Sequence, residues 1–436
     1  MNSRTAILGI AAVGVSSLAL ATPVIPEDGV TIRQNANHVV TVSYTLGDGQ
    51  NQEPAIVTVD FETNVTGTAE GPWVSIGERN FRNVDGFVNK VVEPGARTIT
   101  WRPRRTWPDH VIAGGNFRAR VKAWAKSCPP DYMAINLLAP GLVNYYTSTN
   151  ALPFDLGDDI CRTEILLMRK IPAANVEWRM GAPTTENGYG VKGGNFEATH
   201  YVTLTKDYYM GVFPVTRYQY AVVQGADCSA LAKPCQAHVG ISWNGARYGS
   251  DNTKTVAGTS ETWPVNKAVN QGSFIYNIRQ RTGIASFDLP TSAQWEFACR
   301  AGTSSALYNG KELASANPKD VNAVDESLAD IAWYNGNCHG VLPDHVGLLQ
   351  PNGWGLYDLY GSVYEWCLDF SRGVWEASEV DPEGPTSGTQ RFQVGGVNND
   401  RPAICRSAFR MGRDPGSSYL QYEIFGFRIQ CDAVAP

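Results

Sequence analysis

The sequence predicts two globular units, an all-β unit near the N-terminus and an α+β unit with little regular secondary structure after it. The chain has 436 residues, which is long for one typical domain and enough for two well-packed ones. Short segments of alternating apolar and polar residues follow one another between residues 28 and 125. Beyond residue 171 the sequence becomes rich in Gly, Asn and Trp and has few long periodic segments.

The N-terminal segments have the spacing of β-strands. Turn signals at residues 47–49 and 113–115 separate them. Several short strands at such intervals are typical of an antiparallel immunoglobulin-like sandwich, which we predict for residues 22–127. The unit has no cluster of catalytic residue types, which favours a spacer or interaction module. The residues expected on one strand face each are Val40, Val42, Tyr44 and Leu46; Val57, Val59 and Phe61; Ile99 and Trp101; and Phe117, Ala119, Val121 and Ala123.

The N-terminus has the pattern of a signal peptide. Arg4 precedes an apolar run over residues 6–20, and Ala19 and Ala21 form a small-x-small cleavage site. The run is short for a membrane span, although an uncleaved anchor is the alternative. We therefore expect residues 1–21 to be removed and the protein to be exported: secreted, periplasmic or on the cell surface. The sequence has no second apolar span, so no membrane span is expected after cleavage.

The net charge bears on whether the protein binds nucleic acid, and the cysteine content bears on whether it forms disulfides. The net charge is −6 and no basic tract is present, so a nucleic-acid partner is not expected. Nine cysteines in an exported chain predict disulfides, with at least one cysteine left free or paired between molecules. Cys228 and Cys235 are the nearest local candidates for a disulfide. Cys405 and Cys431 are expected to pair with each other or with other cysteines.

After the double proline at 129–130, residues 128–170 are predicted to be connecting strands, and residues 171–436 to be the second unit. A helix is predicted within residues 290–302, where Thr291 and Gln294 form a capping box and Gly302 suits the C-terminal end. Two more helices are predicted, over residues 217–223 with Thr216 as the cap, and over residues 270–281.

The second unit contains an ordered series of motifs. They are RMG at 179–181, HYVTL at 200–204, YMGVFPVT at 209–216, LPTSAQWE at 289–296, PNGWGLYDLYGSVYEW at 351–366, GG at 395–396, CRSAFR at 405–410 and GFR at 426–428. In this order the motifs resemble the formylglycine-generating enzyme, or sulfatase-modifying factor, family over residues 171–431. The resemblance implies a variant of the C-type lectin fold, with two or more helices and a small twisted sheet.

The copper-dependent enzymes of that family convert a sulfatase cysteine to formylglycine. They carry two cysteines, five residues apart, just after the double glycine, because Cu(I) is soft and takes thiolate ligands. The corresponding segment here, residues 397–405, contains only Cys405, which resembles a further, non-catalytic cysteine of the enzymes. No catalytic residue is therefore assigned, with Cys405 as the weak candidate, and copper is not expected. The alternative is a formylglycine-generating oxidase, or a related oxidase with altered metal ligands.

A second branch of the family uses iron held by histidines, some of them from an added helical domain. The N-terminal unit here is predicted to be β, and no two of the six histidines have helical metal-binding spacing. His339, His345 and Cys338 form the one local cluster of potential ligands. Histidines in loops are more often exposed or hydrogen-bonded residues than ligands.

A third branch of the family binds ligands without chemistry, through loops ahead of the Gly-Phe-Arg ending. The resemblance places such a surface within residues 395–419, and the ligand is expected to be a glycan or a protein. Arg406, Arg410 and Arg428 have two interpretations: they belong to the predicted binding surface, or they are structural residues that pair with buried carboxylates. The predicted ligand-binding residues are Asn398, Asn399, Asp400, Arg401, Arg413, Ser417 and Tyr419.

The resemblance also implies a calcium site in the segment 358–365. The family binds calcium there through the first and last side chains, Asp358 and Glu365, and through the carbonyls of Gly361 and Val363. Carboxylate and carbonyl oxygens are the ligands that Ca²⁺ prefers. Apart from the resemblance, two carboxylates seven residues apart are more often solvated or paired with cations. The sequence as a whole predicts a calcium-stabilised binding module without formylglycine chemistry.

Overall fold

The computed structural model describes residues 23–47, 52–64, 72–108, 116–192, 195–249, 268–416 and 424–436. The predicted signal peptide at residues 1–21 lies outside these ranges, as do Ser417 and Tyr419. Within them, no helix combines the length and the apolar character needed to cross a membrane.

The N-terminal unit consists of two antiparallel sheets. One has the strand order β1-β2-β7-β5, and the other has the order β4-β3-β6 with β8 paired to β3. A short helix, α1, follows β7. The bounds are β1 Thr31–Gln34, β2 Val40–Leu46, β3 Ala55–Asn64, β4 Trp73–Ser75, β5 Asp85–Gly86, β6 Lys90–Val92, β7 Gly95–Trp101, α1 Pro103–Thr106 and β8 Phe117–Trp124.

The two sheets enclose one apolar cluster, and the predicted all-β character of this unit is confirmed. The alternation predicted for β2 is observed, since its four apolar residues are buried. Phe61 of β3 stacks on Trp101 of β7 with ring centroids 4.5 Å apart, which joins one sheet to the other. Aromatic pairs of this kind contribute about 0.5–1.5 kcal/mol beyond the area that they bury.

The predicted connecting strands belong to a sheet of the second unit. The segment 128–170 provides β9 (Tyr132–Asn136), β10 (Val143–Tyr146) and most of β11 (Ile165–Ile171). They form a five-stranded sheet in the order β10-β9-β11-β14-β22, where β14 is Tyr208–Gly211 and β22 is Gln430–Asp432. This sheet therefore ties the beginning of the unit to its C-terminal end.

Three smaller sheets complete the second unit, in the orders β12-β13-β18, β15-β16 and β20-β19-β17-β21. They are built from short strands that are distant in sequence, as expected for a fold with little regular structure. The bounds are β12 Val176–Met180, β13 His200–Leu204, β15 Ala332–Trp333, β16 Tyr360–Gly361, β17 Tyr364–Phe370, β18 Ser378–Val380, β19 Arg391–Val394, β20 Arg410–Arg413 and β21 Phe425–Gly426.

The helices of the second unit begin at polar caps. Thr291 forms the predicted capping box with Gln294, and the predicted cap Thr216 also forms a capping box, with Gln219. The third predicted helix begins later than expected because Ser273, and not a residue at 270, caps it. The helix after Thr291 ends at Ala301 in the left-handed conformation, one residue before the predicted Gly302. The bounds are α2 Arg217–Val223, α3 Trp243–Tyr248, α4 Phe274–Thr282, α5 Ser292–Arg300 and α6 Asn335–Cys338.

Polar contacts connect the two units. Glu78 accepts hydrogen bonds from the hydroxyls of Thr147 and Ser148, and Arg82 donates to Asp155 at 2.7 Å. These contacts fix the N-terminal unit beside the segment that leads into β11.

Candidate functional site

The loop after β19 is the segment where the copper enzymes of the family carry their thiolates and where the sequence predicts a binding surface. It begins at Gly395 and Gly396, both with φ of +83°. A Cβ atom at Gly396 would lie 2.9 Å from the carbonyl oxygen of Ile404, so only glycine lets the loop fold back on itself here. The loop then forms a 3₁₀ turn over Pro402–Ile404 whose side chains are buried.

Two thiols lie in or against this loop, those of Cys405 and Cys338. Cys405 is fully buried, and burial raises the pKa of its thiol well above the usual value. Cys338, at the end of α6, donates to the carbonyl oxygens of Asn398 and Tyr334 at 3.1 Å. Burial raises the pKa of this thiol also. The copper enzymes of the family carry two thiols in this loop, whereas here the loop itself contains only Cys405.

The predicted disulfides are absent. All nine cysteines lie in the described ranges as free thiols. Cys405 is in the loop after β19, whereas Cys431 is in β22 of another sheet. Cys228 and Cys235 are also unpaired, and the Sγ atom of Cys235 lies within 4.8 Å of ligand atoms of Asp159 and His345.

The predicted binding residues of the loop divide into buried and accessible ones. Asn398 is buried, and its side-chain amide donates to the carbonyl of Gly340 at 2.7 Å, so it holds the loop in place. Asn399 is exposed. Arg413 of β20 is half-buried, with its guanidinium 5.9 Å from the ring centre of Phe425.

Asp400 organises the accessible part of the loop. Its carboxylate accepts from Lys192 at 2.6 Å and from the backbone and side chain of Arg401 at 2.8 and 2.7 Å. Burial acts to raise the pKa of Asp400, but these hydrogen bonds outweigh it and hold the pKa below its usual value. The backbone carbonyl of Asp400 accepts from the amide of Asn335. The result is a preorganised group of charges at the protein surface.

The other arginines of the C-terminal motifs are structural. Their guanidinium groups are almost completely buried, and each is paired with a carboxylate from a distant part of the chain. Arg406 pairs with Glu186 and Glu197, Arg410 with Glu296, and Arg428 with Glu365. Buried charges require such partners, so the interpretation of these residues as surface recognition groups is wrong.

Of the four predicted calcium ligands, Glu365 is engaged by other side chains. Its carboxylate oxygens accept from Arg428 Nε and Nη2 at 2.8 Å and from Trp295 Nε1 at 2.6 Å. Three donors, two of them on the Arg428 guanidinium, cover both oxygens, and the geometry leaves little capacity for a metal. In this arrangement Glu365 does not fit a calcium ion.

Asp358 lies near the Glu365–Arg428 ion pair. Its backbone is in the left-handed conformation, with φ of +54°. Its Oδ2 atom accepts from the amide of Gly347 at 2.5 Å, and burial raises its pKa to about 6. Gly361 is required by sterics, since a Cβ atom there would lie 1.9 Å from the carbonyl oxygen of Trp333. Val363 is buried in an apolar cluster.

Comparison with known proteins decides the family. Residues 169–433, more than half of the chain, match the sulfatase-modifying factor enzyme 1-like domain. The chain belongs to this family. It is 35% identical over 153 residues to the formylglycine-generating enzyme of Thermomonospora curvata, an alignment that covers 33% of this chain and 49% of the enzyme. The chain thus spans about half the length of that relative.

Two further proteins resemble this member of the sulfatase-modifying factor family. One is the chaperone protein LppX of Paenibacillus barcinonensis, 30% identical over 213 residues, which are 45% of this chain and 70% of that protein. The other is the solved structure of Treponema denticola variable protein 1, with a TM-score of 0.44 and 24% identity over 62% of this chain and 95% of that one.

The sequence reasoning missed the carboxylates that neutralise the buried arginines. Glu296 accepts from Arg300, from Arg410 and from the amide of Gly181. A local signal for one of these contacts was present, since Glu296 and Arg300 have the i, i+4 spacing of a helical ion pair. Lys192, the partner of Asp400, was also missed, because 208 residues separate the two.

Proposed function

We propose that this protein is a non-catalytic binding protein of the sulfatase-modifying factor family. The supporting observation is the state of the loop after Gly396, where the copper enzymes carry their thiolates. Its one thiol, Cys405, is fully buried and has a raised pKa. A fully buried thiol is out of reach of a peptide substrate, and the loop over residues 397–405 has no second thiol to complete a pair of copper ligands.

The proposed binding surface is centred on Asn399, Asp400 and Arg401, with Lys192 beside them. Asn399 and Lys192 are exposed and Arg401 is partly exposed. Asp400 holds the two cations on either side of itself at hydrogen-bond distance, so their positions are fixed before a ligand arrives. Preorganised side chains lose less conformational entropy on binding, and Asn and Arg supply the hydrogen bonds that a glycan or a polar protein surface needs.

A joint substitution tests this surface. The variant combines Asn399→Ala, Arg401→Ala and Arg413→Ala and is compared with the wild type on glycan and protein arrays. A second triple variant, with Ala at the exposed residues Asn37, Arg104 and Arg120 of the N-terminal unit, controls for the loss of surface charge. We expect the loop variant to lose a ligand that the control variant retains. Equal binding by both variants to every ligand found would show that the surface is placed wrongly.

An oxidase with altered ligands is the alternative. It is favoured by Cys338, whose Sγ atom lies 3.1 Å from the Asn398 carbonyl and thus brings a second thiol to the loop that contains Cys405. Both thiols would have to lose their protons and become accessible for this activity.

The remaining parts of the proposal concern export and the N-terminal unit. We infer that residues 1–21 direct export and are removed, which places the binding surface outside the cytoplasm. The two packed sheets over residues 31–124 support an immunoglobulin-like module that acts as a spacer or a second contact surface. Mass spectrometry of the mature N-terminus tests the first point: a chain that retains Met1 would contradict it.

A further inference from the structure

A second cluster of potential metal ligands lies away from the loop after Gly396. Asp159, Cys235 and His345 come from three separate segments of the chain, and one ligand atom of each lies within 4.8 Å of the other two. The Nε2 atom of His345 lies 3.8 Å from the Oδ1 atom of Asp159. None of the three residues belongs to a motif that the family resemblance uses.

The backbone holds these segments next to one another. Asp159 begins a 3₁₀ turn, Asp159–Arg162, that leads into β11. The carbonyl of Cys235 accepts from the amide of Val346 at 2.9 Å, which aligns the loop after α2 with the segment around residue 345. Lys233 and Asp344 form an ion pair at 2.8 Å across the same two segments. The side chains therefore meet in a prearranged position.

The three ligand types suit a borderline-soft divalent cation. Sulfur, imidazole nitrogen and carboxylate oxygen bind Zn²⁺ at about 2.3, 2.0–2.1 and 2.0–2.2 Å. These lengths place neighbouring ligand atoms of a tetrahedral ion roughly 3.3–3.7 Å apart. The side chains would thus need to move together by only about 1 Å. Cys235 is buried while Asp159 and His345 are exposed, which leaves the solvent side open for a water molecule.

We propose that Asp159, Cys235 and His345 bind one Zn²⁺ ion, with water as the fourth ligand. The ion would join the turn before β11 to the loop after α2 and to the segment at residue 345, at a place where the fold lacks regular strands. The site is independent of the proposed binding surface around Asp400.

Zn²⁺ would bind one carboxylate, one thiolate and one neutral imidazole at this site. Cys235 is a free thiol, and a cysteine thiol with the ordinary pKa of about 8.5 is largely protonated at neutral pH. The nearby guanidinium of Arg162 is already committed to backbone oxygens, among them that of Val346 at 2.7 Å. Binding of Zn²⁺ replaces the thiol proton by the metal and releases that proton to solvent.

Titration with Co²⁺ and Zn²⁺ tests the proposal on the full chain, after a chelator has been used and then removed. Co²⁺ should bind with one-to-one stoichiometry and produce the ultraviolet charge-transfer band of a cobalt–thiolate bond, and Zn²⁺ should remove this band. Each Zn²⁺ should release a proton, measured in a weakly buffered solution with an indicator dye.

Matched substitutions identify the ligands. Cys235→Ser should abolish the band, and His345→Ala and Asp159→Asn should weaken Zn²⁺ binding by more than about tenfold, the smallest loss expected even for an outer-shell partner. Cys228→Ser and His339→Asn, which change the same residue types outside the cluster, should leave it unchanged. Because Asp159 and His345 are exposed, their variants should fold even if the cysteine variant does not. The absence of a band in the wild type, or its persistence in Cys235→Ser, would overturn the proposal, as would full Zn²⁺ affinity in both exposed-ligand variants.

Discussion

Substitution of Asp358 by Asn tests how the structure accommodates a buried carboxylate next to the Glu365–Arg428 pair. Burial raises the pKa of Asp358 from its usual 3.8 to about 6. Each pKa unit corresponds to 1.36 kcal/mol, so ionised Asp358 lowers the stability of the folded state by about 3 kcal/mol. Asn keeps an oxygen that can accept the Gly347 amide, and it tolerates the left-handed backbone at this position.

The pH dependence has a defined sign. A carboxyl group whose pKa is raised by folding contributes stability below about pH 3.8, and this contribution is lost as the pH rises through about 6. Asp358→Asn should therefore match the wild type near pH 4 and be more stable by up to about 3 kcal/mol at pH 7.5. In a unit of about 300 residues that difference raises Tm by about 5 °C.

The assay is urea unfolding and thermal melting of both proteins across this pH range, with a chelator present. Asp330→Asn serves as the control, because Asp330 is exposed and its substitution should change the free energy of unfolding by less than about 0.5 kcal/mol. A less stable Asp358→Asn protein at pH 7.5 in chelator would refute the reasoning. The same samples with excess calcium test the calcium prediction: a wild-type Tm that does not rise, or that rises equally in Asp358→Asn, would contradict a calcium ion at Asp358.

Three other outcomes are expected. Glu296→Gln should lower the free energy of unfolding by about 3–5 kcal/mol in urea, because Arg300 and Arg410 remain buried without a charged partner; a loss below about 1 kcal/mol would contradict this role. Gly396→Ala should cost about 1–3 kcal/mol, owing to its positive φ, whereas Gly373→Ala, with open space around it, should be tolerated. Alkylation of the denatured protein without reductant should add nine alkyl groups by mass, and seven would reveal a disulfide.

Local signals in the sequence predicted the elements of secondary structure well. The cap at Thr216 and the capping box at Thr291 identified α2 and α5, since these contacts lie within one turn. The alternation in β2 identified its buried face, because strand side chains alternate between the two faces of a sheet. Helix α3 was missed, since its six residues include Asn and Gly, which are poor helix formers.

Contacts between distant residues could not be predicted in the same way. Glu365 was expected to bind a cation, and the structure places the cation of Arg428 there, 63 residues later in the chain. His345 was grouped with His339 because the two are near in sequence, but the fold brings it to Asp159 and Cys235. Such pairings depend on how irregular loops pack against one another, and local sequence periodicity does not predict that packing.

The most direct test of the central proposal is a mass measurement on a peptide. The purified protein is incubated with copper, a reductant, oxygen and a peptide that contains the sulfatase motif, beside an active formylglycine-generating enzyme as the positive control. The buried Cys405 thiol and the single-cysteine loop predict that the peptide mass remains unchanged with this protein while it shifts with the enzyme. The mass change of cysteine-to-formylglycine conversion, produced by this protein, would contradict the proposal.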